Sequence, residues 1–477
     1  MASLWLALIA GNVFAANTTW RAGVAVEKIT PPFPMWMAGY GNRTAPSQGV
    51  AHDLWAKALA VEDSGGRRAV LVTLDLVGID RATSVAICST IARRHHLERD
   101  QIALNCSHNH CGPVVGSNLH AMYFLDAAEQ ARVEQYTAWL SERIVRGVGQ
   151  ALERLAPAEL ARGEGQATIA VNRRSNPHDS VLARRELGIL RGPVDHRVPV
   201  LRVTDIEGRI VAIVFGYACH PTKLTDFHRF CGDYVGFSQL SVEQAHPGAV
   251  AMFWQGCGGD QTPWPRGGGD LQATEAVGRE LAGSVERALA APLVPIRGPL
   301  ATAYGEIDLP LADIPGASEL ESLARGQNRF KARLARQLLD TLAAGGEPAR
   351  SYANYPVQVW GLGSELVWIA LGGETVVDYT IRLQDECAAH AAGSSTSTVW
   401  VAGYTNDVMA YVPSRRVLEE GGYEGGEAMV YYGLPARWAP DVEERIVAEV
   451  RRQVAGVRKQ IDASADPPGE SGKGGQR

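Results

Sequence analysis

The stretch Asn105-Cys106-Ser107-His108-Asn109-His110-Cys111-Gly112-Pro113 decides how this chain is read. It follows the apolar run Gln101-Ile102-Ala103-Leu104, which reads as a short buried strand. Gly112-Pro113 closes the segment as a turn. Side chains alternate along an extended segment, so His108 and His110 point the same way. Imidazoles at the end of a buried strand suit a zinc site or proton transfer. By itself the pair also reads as two hydrogen-bonded surface histidines, because short motifs recur by chance.

The 477 residues make one large domain or two ordinary ones. An apolar content of 46% with 21% charged residues fits a globular enzyme with a sizeable core. A net charge of −6 offers no basic footprint, which argues against nucleic acid as a partner. Beyond the first residues no apolar run reaches the length of a membrane span. Residues 1–16 resemble a secretory signal peptide, with Val13 and Ala15 fitting a cleavage pattern, although no Lys or Arg precedes Arg21. The expectation is a secreted or periplasmic protein. Seven cysteines is an odd number in a chain too large to need disulfide staples. Cys106, Cys111, Cys219, Cys231 and Cys257 fall near the candidate site. They read either as zinc thiolates or, better, as small buried thiols packed around it.

Working outward, Arg21 to Ile29 is a strand, and Leu54 to Glu62 with Arg68 to Leu74 form a hairpin about Asp63-Ser64-Gly65-Gly66. A second hairpin joins Val200 to Thr204 with Ile210 to Ala218. Helical periodicity marks 81–96, 126–155, 239–246, 271–290, 318–344, 375–391 and 441–461. Further strands are read at 159–164, 167–172, 249–254, 355–360, 365–371 and 399–403. Hairpins argue against an all-parallel sheet. The expected fold is α/β: mixed β-sheets with surrounding helices in a single large domain, residues 17–462, with a Pro/Gly/Ser-rich disordered tail at 463–477.

Three more loops follow buried strands and carry ligand-type residues. His220 ends Phe215-Gly216-Tyr217-Ala218-Cys219 and precedes Pro221, and also reads as a turn histidine. Glu374 follows Gly372-Gly373 and opens a helix, where a carboxylate is favoured by the helix dipole alone. Tyr411 closes Tyr404-Thr405-Asn406-Asp407-Val408-Met409-Ala410 and reads by itself as a half-buried aromatic.

Taken in order, these segments resemble the neutral, non-lysosomal ceramidase family over roughly Arg21 to Ala436. The resemblance rests on the glycine loop Met37 to Arg43, the H-x-H-x-G-P segment, Asn172-Arg173, the Gly259-Asp260 loop, Gly373-Glu374 and Ala410-Tyr411-Val412. It implies Zn²⁺ held by His108, His220, Glu374 and Tyr411. It also implies Tyr423 as the family's second tyrosine, and hydrolysis of an N-acyl amide, with ceramide the leading case. His110 is the candidate for proton transfer or oxyanion support. Arg173, Tyr423 and Thr262 are candidates to hold the substrate oxygen. Their ordinary readings are a salt bridge with Arg174 as mobile neighbour, a packed loop aromatic and a turn residue. The sequence departs from the family at Thr262, which replaces a serine, and at Val114-Val115, which replace glycines and are expected to narrow the site. It also ends before the extra C-terminal β-domain of the larger members. Met35, Trp36, Met37, Tyr40, Trp264 and Trp360 are candidate apolar walls for a small amphipathic or lipid-like substrate, Trp360 fitting core packing better. Other functional classes are a zinc hydrolase of another amide or ester, a thiol hydrolase using Cys111 or Cys219, and a non-catalytic metal- or carbohydrate-binding protein.

Overall fold

The computed structural model describes residues 20–388 and 397–465. Residues 1–16, expected to be a signal peptide, and the tail beyond residue 465 lie outside the described residues; residues 463–465 continue the last helix.

Nine strands form a large mixed sheet. Its order is Ile102–Cys106, Arg68–Leu74, Trp55–Asp63, Trp20–Lys28, Ala156–Gln166, Arg197–Asp205, Ile210–Tyr217 and Val250–Gln255, with Val294–Ile296 added beside Ala156–Gln166. Neighbours run antiparallel except at the two ends, where Arg68–Leu74 pairs parallel with Ile102–Cys106 and Ile210–Tyr217 pairs parallel with Val250–Gln255. The sheet curls until its ends touch: the Gln255 amide donates to Asn105 Oδ1 at 2.8 Å.

A second sheet of four strands, in the order Leu300–Pro310, Ser351–Leu362, Leu366–Leu371 and Thr398–Ala402, packs against the first. Its last pair is again parallel. Side chains alternate along each strand, so the central strands turn one face to the other sheet and the opposite face to helices. Leu59, Leu71, Val214 and Trp254 meet Trp360, Trp368 and Trp400 between the sheets. Trp360 and Trp368 have ring centroids 5.1 Å apart, a contact of about 0.5–1.5 kcal/mol beyond area burial. Alternate residues face helices instead. Val70 and Val72 lie in one cluster with Ile87, Ile91, Leu140 and Ile144 of helices Arg81–His95 and Ala127–Glu153. Phe215 and Phe253 pack with Val235, Val242, Leu281 and Val285 of helices Asp233–Ala245 and Leu271–Ala290. Val357 and Val359 join Val450, Val454 and Val457 of the last helix, Val442–Ala465. This is the expected mixed α/β architecture with helices outside.

Three local expectations change. The helix expected over 318–344 is two helices, Ala317–Ala324 and Arg329–Ala343, because Gly326 intervenes and Asn328 caps the second through Phe330 N and Lys331 N at 3.1 Å each. Glu374 does not open a helix. It forms a two-residue strand with Thr375, and the helix starts at Asp378; the end of that helix as expected, beyond residue 388, lies outside the described residues. Strand Leu300–Pro310, not expected from the sequence, pairs along most of its length with Ser351–Leu362.

Candidate active site

Each candidate metal ligand sits just beyond the C-terminal end of a strand from a parallel pair. His108 follows Ile102–Cys106, and its Nδ1 donates at 2.6 Å to the carbonyl of Val77, which follows the parallel neighbour Arg68–Leu74. His220 repeats the construction. It follows Ile210–Tyr217, and its Nδ1 donates at 2.6 Å to the carbonyl of Gly258, beyond the parallel neighbour Val250–Gln255. Glu374 follows Leu366–Leu371, and the loop carrying Tyr411 follows that strand's parallel neighbour Thr398–Ala402. Parallel neighbours end side by side, so their loops meet. His108 adopts φ +61°, a left-handed conformation uncommon for non-glycine residues.

The side chains converge. Glu374 Oε2 lies 2.9 Å from His108 Nε2 and 3.1 Å from His220 Nε2. The Tyr411 hydroxyl is 3.2 Å from His220 Nε2. His110 Nε2 is 3.1 Å from His108 Nε2, and His108, His110 and His220 form one buried group able to hold a metal ion. Because His108 and His220 spend their Nδ1 protons on carbonyls, both Nε2 atoms present lone pairs to a carboxylate that also only accepts. Such a cluster needs a proton or a cation between its members. Burial, reinforced by Arg173, pushes His220 down to about 4, so a proton is disfavoured at neutral pH. Burial of Glu374 opposes its charge, but His108 and His220 outweigh that and hold its carboxyl well below the usual range. Nitrogen and oxygen donors of this kind fit Zn²⁺.

Supporting contacts fix the donors. The Tyr432 hydroxyl donates to Glu374 Oε1, and that of Tyr404 to Oε2 at 3.4 Å. Tyr432 carried no motif that could have revealed it; only the fold brings it to Glu374. Arg173 donates to the Tyr411 hydroxyl at 3.2 Å while held by Glu424 and the Gly259 carbonyl, each at 2.7 Å. Arg173 therefore makes the expected salt bridge and also stands beside Tyr411. Arg174 is not mobile: Glu424 at 2.7 Å and Glu420 at 3.0 Å hold it. Asp260 ties three loops together, accepting from Asn172 Nδ2 at 2.8 Å, Gln261 Nε2 at 2.9 Å and the Val377 amide at 3.0 Å. Gly39 has φ +92°, and a Cβ there would stand 2.4 Å from His110 Nδ1, so only glycine lets this loop cover the imidazole. The buried Arg43 fastens the same loop to the His110 carbonyl at 2.9 Å.

A cleft of about 670 Å³ opens on His110, His220 and Tyr411, and is walled by Arg173, Thr262 and Tyr423. The Tyr423 ring lies 5.2 Å from that of Tyr411, edge on. Thr262 Oγ1 is buried without a hydrogen-bond partner. Tyr40 and Trp264 line the cleft as expected, but Met35, Met37, Val114 and Val115 are core residues, and Trp360 lies between the sheets. The valines therefore do not narrow the cleft. All seven cysteines are free and buried. None belongs to the metal-ligand group, and burial pushes the thiols of Cys111 and Cys219 up, away from the reactive thiolate.

Fold and site together define an α/β protein with a buried metal-type centre at the ends of parallel strand pairs. The family model for neutral/alkaline non-lysosomal ceramidase, N-terminal, matches residues 20–276, and the chain belongs to that family. It is similar to the neutral ceramidase of Pseudomonas aeruginosa, 26% identical over 260 residues, covering 52% of this chain and 38% of that protein. It is similar also to neutral ceramidase from Drosophila melanogaster, 24% identical over 255 residues, covering 52% and 35%, and to neutral ceramidase B of Dictyostelium discoideum, 26% over 267 residues, covering 53% and 37%. The matched stretch thus spans well under half the length of these relatives. The crystal structure of the Pseudomonas aeruginosa neutral ceramidase shares the fold, with a TM-score of 0.72 at 20% identity over 93% of this chain and 75% of that one. A ceramidase complexed with C2 gives 0.73 at 19%, over 95% and 78%.

Proposed function

We propose that this chain is a zinc-dependent amidohydrolase that cleaves an N-acyl amide, with ceramide, split into sphingoid base and fatty acid, as the leading case. The observation that carries the reading is the convergence of two imidazole lone pairs and a buried carboxylate on one point, with the Tyr411 hydroxyl beside it. His108, His220, Glu374 and Tyr411 hold the zinc. When bound, Zn²⁺ supplies a water of pKa about 7 and polarises the carbonyl. His110, 3.1 Å from His108 and facing the cleft, moves the proton from the attacking water to the leaving amine. Thr262 and Tyr423 donate to the developing oxyanion. Burial and Glu374 push the Tyr411 hydroxyl up, and Arg173, which donates to it at 3.2 Å, opposes that shift. Tyr40 and Trp264 offer apolar surface to an amphipathic substrate.

Membership of the family and the shared fold support this reading over the metal- or carbohydrate-binding alternative. Among the described residues no helix is long and apolar enough to cross a membrane. The resemblance of residues 1–16 to a signal peptide supports export to the periplasm or medium. A screen of N-acyl amides and esters, with zinc-loaded and chelator-treated protein, tests the function. Turnover of amides, lost on chelation and restored by zinc, is expected. Turnover that resists chelation and is stopped by a thiol reagent would overturn it.

A further inference from the structure

The cleft carries one cation beyond those its own carboxylates balance. Arg173 and Arg174 are both paired with Glu424 at 2.7 Å, and Arg174 also with Glu420 at 3.0 Å. Arg266 lines the same cleft, and among the described residues it makes no ion pair; its buried Nε has no hydrogen-bond partner. Thr222, two residues after His220, lines the same cleft; it is only 1% exposed, and its hydroxyl is a second buried donor without a hydrogen-bond partner. Buried donors are almost always paired, so unpartnered donors on two residues that line one cleft mark a place for a ligand's acceptor.

We propose that Arg266 and Thr222 form an anion subsite beside the metal centre, and that the substrate is an N-acyl amide bearing a carboxylate on its amine half, an N-acyl amino acid. The inference rests on the amide-hydrolase reading and replaces ceramide, its leading case, by an acidic amide. One surplus positive charge matches a monoanion. The planar guanidinium fork matches a carboxylate in two parallel hydrogen bonds, with the Thr222 hydroxyl as a third donor. Water adds across the amide C–N bond, so the products are a fatty acid and a free amino acid.

The test compares two substrates with the same acyl chain, N-dodecanoylglycine and N-dodecanoylethanolamine, on the zinc-loaded full chain. The second replaces the carboxylate by a neutral hydroxymethyl group. The wild type is expected to prefer the acid in kcat/KM by about 10–100-fold, the effect of a charge-assisted pair. Arg266→Gln brings that ratio to near one by raising KM for the acid, and Arg266→Lys keeps part of it. A wild-type preference for the neutral amide, or an unchanged ratio in Arg266→Gln, would overturn the subsite. If the wild type hydrolyses neither compound, the amidohydrolase reading fails for this class. Calorimetric binding of N-dodecanoylglycine then decides the subsite separately: equal affinity in wild type and Arg266→Gln, or no binding, overturns it, and binding lost in the variant supports it.

Discussion

Glu374 and Tyr411 are direct neighbours across a parallel pair of two-residue strands, the Glu374 amide donating to the Ala410 carbonyl at 2.8 Å. A ladder two residues long would not persist in isolation. It is held because Gly373 takes φ +73° and its amide donates to the Asp407 carbonyl at 2.7 Å, while its carbonyl accepts from Tyr404 at 2.9 Å. The pairing brings together a carboxylate and a phenol that lie far apart in the chain.

The first prediction concerns the metal. Wild-type protein should carry about one zinc per chain, and His108→Ala and His220→Ala should each lose it. Elemental analysis of the purified variants measures this directly, and full occupancy in both would refute the ligand set.

Tyr432 should act on the metal through Glu374. Its hydroxyl donates to Oε1, the carboxylate oxygen that does not face the histidines. Losing such an outer hydrogen bond typically weakens metal binding about 10–100-fold. Tyr432→Phe is expected to release zinc to a competing chelator at correspondingly lower chelator concentration. A titration curve superimposable on that of the wild type would exclude the role.

Thr262 offers a clean contrast between hydroxyl and shape. Thr262→Val keeps the volume and removes the unpartnered donor, and should lower kcat by about 10²–10³-fold with zinc content unchanged. Thr262→Ser restores the family's residue and should retain most turnover. Equal kcat in the two variants would leave Thr262, which sits in the short strand Gln261–Pro263, without a role in turnover.

A fourth prediction is a pH dependence of stability. Burial pushes the Asp407 carboxyl up to about 7, despite a hydrogen bond from Tyr352 at 2.5 Å. Its unfolded pKa is about 3.9. Between these values the folded chain holds a proton that the unfolded chain has released, so the stabilisation is complete below about 4 and fades as pH rises through about 7. Asp407→Asn should flatten the fall in Tm over that range. A profile parallel to the wild type would show that Asp407 is ionised throughout.

Most of the large sheet and the helices that flank it are legible in the sequence, because 68–74 is a nearly continuous apolar run and 271–290 repeats apolar residues at helical spacing. Legibility fails where local pattern and tertiary demand part. Glu374 follows two glycines and reads as a helix start, yet the carbonyl of Ala410 captures its amide first. Val114 and Val115 stand beside the histidines in sequence but turn into the core, since a turn separates neighbours that a strand would align.

By itself the sequence determined the inventory: apolar strands ending in His108, His220, Glu374 and the Tyr411 loop, and the order of motifs that marks the family. Only the tertiary structure decided that these ends meet. His108 and His220 follow strands near opposite ends of the large sheet, and they come together because the sheet curls until Gln255 reaches Asn105 at 2.8 Å. The partners that orient the ligands — Val77, Gly258, Tyr432 — are two carbonyls and a distant phenol. A carbonyl has no side-chain signature and a phenol no fixed spacing, so no motif can announce them. The open donors of Arg266 and Thr222 belong to the same class, because whether a polar group is paired depends on what the folded chain places opposite it.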